Sequence, residues 1–482
     1  MRFFLILLPA VVLAQLSAQP PLKLGDVTVQ GSVRSRLESW DWFGAGLDSE
    51  YTYSGTLVRI SFSQQKRLFD WNLELAAPIL LGLPTDAIGA GSIGQMGAGA
   101  SYFAANGNRQ NAAMIFPKQA YLRLKGMFGD DRQSIRLGRY EFLDGSEITP
   151  KNATLATLKQ NRIAQRLIGN FGWTHVGRSL DGFHYVANGK KLNFTLLGGL
   201  PTRGVFQVDG WGNLKAAIGY ASLNGALNRG ANQAGDWRVF GMYYQDGREG
   251  VLKTDNRPVA IRRADTGNIR IGSAGGHYLH SATTTAGTFD FMAWGLLQTG
   301  TWGSLDHRAS AGSIEGGWQP PVLRKLRPWV RAGYFAGSGD KDPNDSTHGT
   351  FFQVIPTPRP FARFPFFDLV NNRDAFGTIT LRPSPKWTIS SEVHNLRLSR
   401  ASDLWFLGGG AFQPWTFGYT GRPSGNMKGL ANLYDVSVDY KINPHYTVSG
   451  YLGCATGGDV IRTIYPQGRN GRLGYIEFTY KF

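Results

Sequence analysis

The stretch GRLGYIEFTYKF, residues 471–482, holds two interleaved sequences. Gly474, Ile476, Phe478, Tyr480 and Phe482 are small, apolar or aromatic, whereas Tyr475, Glu477, Thr479 and Lys481 mostly favour water. A period of two places the first set on one face of a β-strand and the second on the other. The same pattern extends over nearly the whole chain. Val27, Val29, Val33 and Leu37 share a face, opposite Thr28, Gln30, Ser32, Arg34, Arg36 and Glu38. Val58, Ile60 and Phe62 oppose Arg59, Ser61 and Ser63; Leu73 and Leu75 oppose Asn72 and Glu74; Leu122 and Leu124 oppose Arg123 and Lys125. Leu192, Phe194 and Leu196 oppose Lys191, Asn193 and Thr195, and Tyr434, Val436, Val438 and Tyr440 oppose Asp435, Ser437, Asp439 and Lys441.

Alternation alone fits either a water-soluble sandwich or a barrel with lipid outside and water within; the connections decide. Short ones fall near residues 66–68, 128–131, 188–189, 283–286, 383–385 and 443–444. Between them come long ones near 81–114, 143–173, 247–267, 338–372 and 399–430. A soluble domain rarely carries so many structureless loops longer than about 15 residues. Short turns at one end and long loops at the other are the asymmetry of an outer-membrane barrel. The predicted fold is therefore all-β: a transmembrane antiparallel β-barrel of about 18 strands, with short periplasmic turns and long extracellular loops. The last strand must pair with the first to remove both edges. Its aromatic end resembles the signal read by the outer-membrane assembly machinery, an expected partner beside membrane lipid.

Residues 1–18, MRFFLILLPAVVLAQLSA, read as a secretory signal peptide: a basic start, an apolar core and small residues at Ala14 and Ala18. Residues 19–482 then form one barrel domain, since no composition break or linker divides them. Sixty-three glycines and 13% aromatics suit many strands and turns. The single cysteine, Cys454, excludes a disulfide scaffold and a cysteine-based zinc site.

With apolar positions assigned to lipid, Arg34, Arg36, Arg59, Arg123, Lys125, Arg136, Lys191, Arg331 and Lys441 fall inward. Glu38, Glu74, Glu392, Asp435, Asp439 and Glu477 fall inward as counter-charges. A barrel this wide is expected to keep an aqueous channel. With a formal net charge of +17, that channel would concentrate anions. Arginine suits carboxylates because its planar fork binds them through paired hydrogen bonds. The expected function is a passive, anion-selective porin for an acidic polysaccharide or small organic anions, needing no cofactor and no nucleic-acid partner. Inward charges that merely pair across strands and brace the wall are the plainer reading. A structural or adhesive barrel whose loops bind a partner is the alternative. A barrel hydrolase would need a lipid-facing Ser and His at one interface, and no such pair is found.

Two further stretches raise expectations. GSGDKDPND, residues 337–345, places Asp340, Asp342, Asn344 and Asp345 on a tight loop, like the start of a calcium loop without its glycine and distal Glu. TLKQNRIAQRLIG, residues 157–169, reads as a short helix in an external loop. Its Arg162 and Arg166 would screen the pore mouth or touch anionic lipopolysaccharide.

Several longer stretches resemble the alginate export family of outer-membrane proteins. They are GRYEFLDG (138–145), RLIGNFGWTHVGRSLDG (166–182), GSGDKDPND, HGTFFQVIPTPRPFARFPF (348–366), DLWFLGGGAF (403–412), FGYTGRPSGN (417–426) and VIRTIYPQGRNGRLGYIEFTYKF (460–482). The resemblance runs from about residue 27 to the C-terminus and is closer to distant members than to the alginate exporter itself. It implies an eighteen-stranded barrel with a basic pore that, in the best-known member, passes the polyuronate alginate outward. It also implies internal gating loops, for which 81–114 and 338–372 are candidates, and adds Arg139, Arg166 and Arg178 as pore or mouth residues.

Overall fold

The computed structural model describes residues 22–46, 48–228, 230, 232–357, 361, 363–408, 417 and 419–482. The signal peptide expected over 1–18 lies outside them. The wall consists of strands β1 (Val27–Asp41), β2 (Glu50–Gln65), β3 (Phe69–Leu81), β4 (Phe116–Lys125), β5 (Gln133–Tyr140) and β6 (Leu180–Asn188). There follow β7 (Leu192–Pro201), β8 (Ala216–Asn228), β9 (Gln233–Asp246), β10 (Ile269–Thr284), β11 (Gly287–Trp302) and β12 (Leu305–Gln319). The circuit is completed by β13 (Trp329–Gly337), β14 (Asn372–Ser384), β15 (Trp387–Leu398), β16 (Gly429–Lys441), β17 (Tyr446–Gly457) and β18 (Asn470–Lys481). Each strand pairs antiparallel with the next, and β18 pairs with β1 from Ser32↔Lys481 to Asp41↔Arg472. These eighteen strands form a closed barrel, so every wall strand has two neighbours and no edge is left in lipid. Among the described residues no helix is long and apolar enough to cross a membrane.

The period of two sorts residues as the sequence implies. Leu37, Ile60, Leu73, Leu122, Phe194, Tyr434, Leu452 and Ile476 are exposed on the outer wall, the last to 66%. Their neighbours Arg36, Glu38, Asp70, Glu74, Asn193, Asp435 and Ser437 are buried on the inner face. In water so many exposed apolar rows would be an association hazard; in a bilayer they are the solvated surface. Phe69, Phe289, Trp318, Trp387 and Phe482 form an aromatic belt at the short-turn end, where Trp387 stacks on Tyr440 at 4.3 Å.

The long connections do not all stay outside. The segments 82–115, 141–179, 202–215, 338–371 and 399–428 supply many of the residues in the two apolar clusters inside the barrel. Inward Trp40, Tyr53, Tyr140, Tyr220, Tyr244, Trp294 and Trp302 pack against them. The loops therefore fill the loop-side half of the lumen as a plug, which a uniform aqueous bore does not describe. Gly55 makes room for it: a Cβ there would lie 2.4 Å from the His175 ring. Helix α1 (Ala98–Ala105) is pinned by Tyr51, whose hydroxyl donates to the Met96 carbonyl at 2.8 Å and accepts from Gly99 N–H at 3.1 Å. Helix α2 (Ala153–Leu158) begins at Asn152, whose Oδ1 accepts from Leu155 N–H at 3.0 Å, and continues as a π-turn over Lys159–Ile163.

Candidate functional site

Inside the wall, strand periodicity aims carboxylates and cations at one another from different strands. On β1, Arg36 bonds Glu477 of β18 at 2.6 Å and Glu38 at 3.1 Å, while Arg34 lies 3.6 Å from Glu477. The Arg34 guanidinium also donates to the carbonyls of Gly172 and Thr174, tying the internal loop 141–179 to the wall. Arg59 bridges Glu74 at 2.7 Å and Glu141 at 2.6 Å. Near the short-turn end, Asp70 receives both Arg123 and Lys125, the latter at 2.8 Å. Arg136 lies over the rings of Tyr121 and Tyr140, 4.6 and 5.5 Å from their centroids.

The opposite wall has Glu315 of β12 as its hub. It accepts Arg162 at 2.9 Å, Arg166 at 3.3 Å and Arg331 at 3.1 Å, and Arg331 also pairs with Asp290. Three guanidiniums on one fully buried carboxylate, with one shared acid, leave positive charge over. Below the plug a cavity of about 900 Å³ reaches the short-turn end; Arg162, Arg331, Arg363, Arg382 and Lys481 line it, against Glu392 and Asp439. The remaining predicted acids are engaged. Asp435 accepts from the Tyr451 hydroxyl at 3.0 Å, Asp439 from Ser449 at 2.6 Å, and Glu392 lies 3.4 Å from His394.

Several sequence expectations are corrected by these positions. Arg139 shares the outward row of β5 with exposed Leu137; it pairs with Asp181 at 2.7 Å and donates to the carbonyls of Pro117 and Gly210. It staples three segments at the rim and does not face the channel. Lys191 is exposed in the turn before β7, and Lys441 is exposed at the last position of β16, so both sit at the barrel's end. Arg166 and Arg178 are buried within the plug, Arg178 donating to the Thr202 carbonyl at 3.0 Å, so neither screens the mouth. Arg162 and Arg166, held by Glu315, cannot reach lipopolysaccharide either, and the helix carrying this segment starts earlier than expected and lies inside.

The acidic loop also departs from expectation. Asp340 Oδ1 accepts from Asp342 N–H at 3.0 Å, Asp342 Oδ1 from Asn344 N–H at 2.9 Å, and Asp345 Oδ1 from Thr347 N–H at 2.7 Å. This series of local turns spends the carboxylates on the backbone. Among the described residues no group of three or more acidic, His or Cys side chains is gathered as a metal site would need, so the carboxylates of Asp340, Asp342 and Asp345, with Asn344 between them, do not converge as the calcium-loop reading expects. The loop is instead tied to the next one: Asp403 Oδ2 accepts from Asp340 N–H at 2.8 Å and from the Thr350 hydroxyl at 2.6 Å. Burial pushes the Asp403 carboxyl up to about 7 and that of Asp340 up to about 6.

Glu315 and Asp290 were legible in the sequence, since each alternates with apolar neighbours (Ile314; Phe289 and Phe291). Lys118 was not. A register shift between Glu74 and Leu75 places it as the extra residue of a bulge, turning it inward to within 3.5 Å of Glu141. Arg363 lies in a loop with no periodic pattern.

A family described as "Alginate export" matches residues 224–474, just over half of the chain. The motifs at 138–145 and 166–182 fall before that match. No protein of curated function matches. Among solved structures, OccK9 (OpdG) of Pseudomonas aeruginosa is similar with a TM-score of 0.57 at 10% identity, covering 95% of this chain and 98% of that one. OccAB2 of Acinetobacter baumannii gives 0.57 at 9% identity, with 95% and 98% covered. OpdK of Pseudomonas aeruginosa with vanillate gives 0.51 at 8% identity, with 94% and 98% covered. These likenesses independently carry the barrel fold. The family is one of channels and not of enzymes, which removes the hydrolase alternative. Closed wall, lipid-matched outer face and family match converge: the chain belongs to the alginate export family and is a porin-like β-barrel of the bacterial outer membrane.

Proposed function

We propose that this barrel is a passive channel preferring anions, and that its solutes carry carboxylates: acidic sugars, polyuronate chains or small organic acids. The observation that carries this reading is the cavity below the plug, where Arg363, Arg382 and Lys481 join Arg162 and Arg331, which Glu315 and Asp290 already hold, against the carboxylates of Glu392 and Asp439. A low-dielectric wall around such a surplus raises the local anion concentration and repels cations. Neighbouring acids keep each site weak, so that a solute which binds can also leave. A passive pore sets no direction of its own; the gradient does. Vanillate, with which OpdK was crystallised, is a carboxylate, and OpdK shares this fold, which agrees with the proposed chemistry.

The test is the reversal potential in planar bilayers under a salt gradient, followed by block with uronate oligomers. Anion preference and uronate block are expected, and Arg363→Gln with Arg382→Gln should reduce both. Cation preference, or indifference to uronates, would overturn the reading. The dense plug supports one second reading, a barrel whose loops bind a partner; impermeability to ions under all conditions would favour it.

A further inference from the structure

The outer wall carries a second charged feature that the channel does not use. At the long-loop ends of β10 to β15, Arg270, Arg308, Arg373, Arg397 and Arg400 are exposed on or beside the outward rows. Asp306 is the acid that alternation turns outward on these strands, and it lies 4.0 Å from Arg308. Arg373 and Arg397 stand directly opposite one another in the β14–β15 register. Like charges so placed repel unless an anion lies between them. Among the described residues neither they nor Arg400 has a carboxylate partner. Beside them the wall is hollowed: Ala274, Gly295, Ser310, Gly312 and Ala336 leave a groove of about 610 Å³ across β10–β13, with Arg373 and Arg400 also lining it. Elsewhere the same outward rows carry Leu, Ile, Val and aromatic side chains.

A cationic head above an apolar trough fits one kind of molecule, an amphiphile with an anionic headgroup and hydrocarbon chains. The long-loop end is the external end, so that amphiphile belongs to the outer leaflet. We propose that Arg373, Arg397 and Arg400 bind the phosphate of a phosphorylated, acylated lipid of the lipid A type, with an acyl chain laid in the Gly295–Gly312 groove. The arginines neutralise the headgroup by charge-assisted hydrogen bonds, and the phosphate relieves the repulsion between the paired guanidiniums. The site lies outside the lumen and does not depend on what the channel carries.

The full chain, purified in phosphate-free detergent, would be titrated with diphosphoryl lipid A and with its dephosphorylated analogue, and binding read by native mass spectrometry. One tightly retained diphosphoryl lipid is expected. R373Q/R397Q/R400Q should weaken it at least tenfold, as should removal of the phosphates from the lipid, with conductance unchanged. Gly312→Leu is a second variant that the fold accepts, since a Cβ there meets nothing nearer than 3.6 Å. It should weaken lipid binding by filling the groove while the arginines stay intact. Heat-modifiable gel migration would verify that both variants are folded. Equal binding by wild type and triple variant would overturn the proposal, as would equal binding of the dephosphorylated lipid. Displacement by inorganic phosphate with no effect of Gly312→Leu would leave a bare anion site and overturn the lipid assignment.

Discussion

At the scale of single residues, this protein is governed by which medium each side chain meets. Ile476 is 66% exposed on β18 and faces lipid. Ile476→Arg should cost about 2–4 kcal/mol if it lies near mid-membrane and less toward the interface. Urea unfolding from lipid vesicles measures this. Glu315 is the opposite case, a buried acid holding Arg162, Arg166 and Arg331. Glu315→Gln leaves three buried guanidiniums short of charge, and removing one member of such a cluster costs about 3–5 kcal/mol. The expected outcome is lower unfolding stability together with larger, noisier single-channel currents as loop 141–179 loosens. A variant with unaltered currents would show that the plug is held elsewhere. Gly55→Val tests the same loop sterically. Its side chain would enter the His175 ring, so conductance should rise while the barrel stays closed.

At the scale of elements, the loops behave as parts with their own ties. The segment 338–371 is fastened to 399–428 through Asp403, Asp340 and Thr350. Both acids have folded values above the unfolded value of about 3.9. Their contribution to the tie is therefore fully present below about pH 4 and is lost as pH rises through about 6 to 7. Gating events should be more frequent at pH 8 than at pH 5.5, and Asp403→Asn should flatten that dependence. Recordings with equal event rates at the two pH values in the wild type would refute it. The strands follow a simpler rule. Along β15 the alternation stays regular, with Val393, Asn395 and Arg397 outward and Leu396 and Leu398 buried inward, while the neighbouring β16 takes up one extra residue, Leu430, as a bulge opposite Leu396 and Arg397.

At the scale of the whole molecule, two fields are separated by one wall. The inner face gathers cations around shared acids and, with the loops, narrows the lumen to a plug above a basic cavity. The outer face gives apolar rows to the bilayer and reserves a basic arc for its external end. Strand-borne cations such as Arg36, Arg59, Arg123 and Arg331 are all ion-paired, so they brace the barrel as well as charge it. Replacing Arg34, Arg36 and Arg123 together with Gln should therefore lower unfolding stability. In the same bilayers the change in anion preference should be smaller than for the Arg363 and Arg382 pair, whose side chains line the open cavity. The opposite ranking would place the selectivity filter among the ion-paired arginines of β1 and β4.

The sequence by itself determined the barrel: the alternation, the turn asymmetry, the face of strand residues wherever no bulge intervenes, and the pairing of β18 with β1. All of these rest on a period of two and on the cost of an unpaired edge in lipid, which any short window of residues expresses. Tertiary structure alone decided which long loops enter the lumen, which acid each arginine meets and why Arg139 serves the rim. Arg36 meets Glu477 across 441 residues of chain, and Arg162 meets Glu315 across 153. No local pattern encodes such a meeting; it exists only once the cylinder has closed.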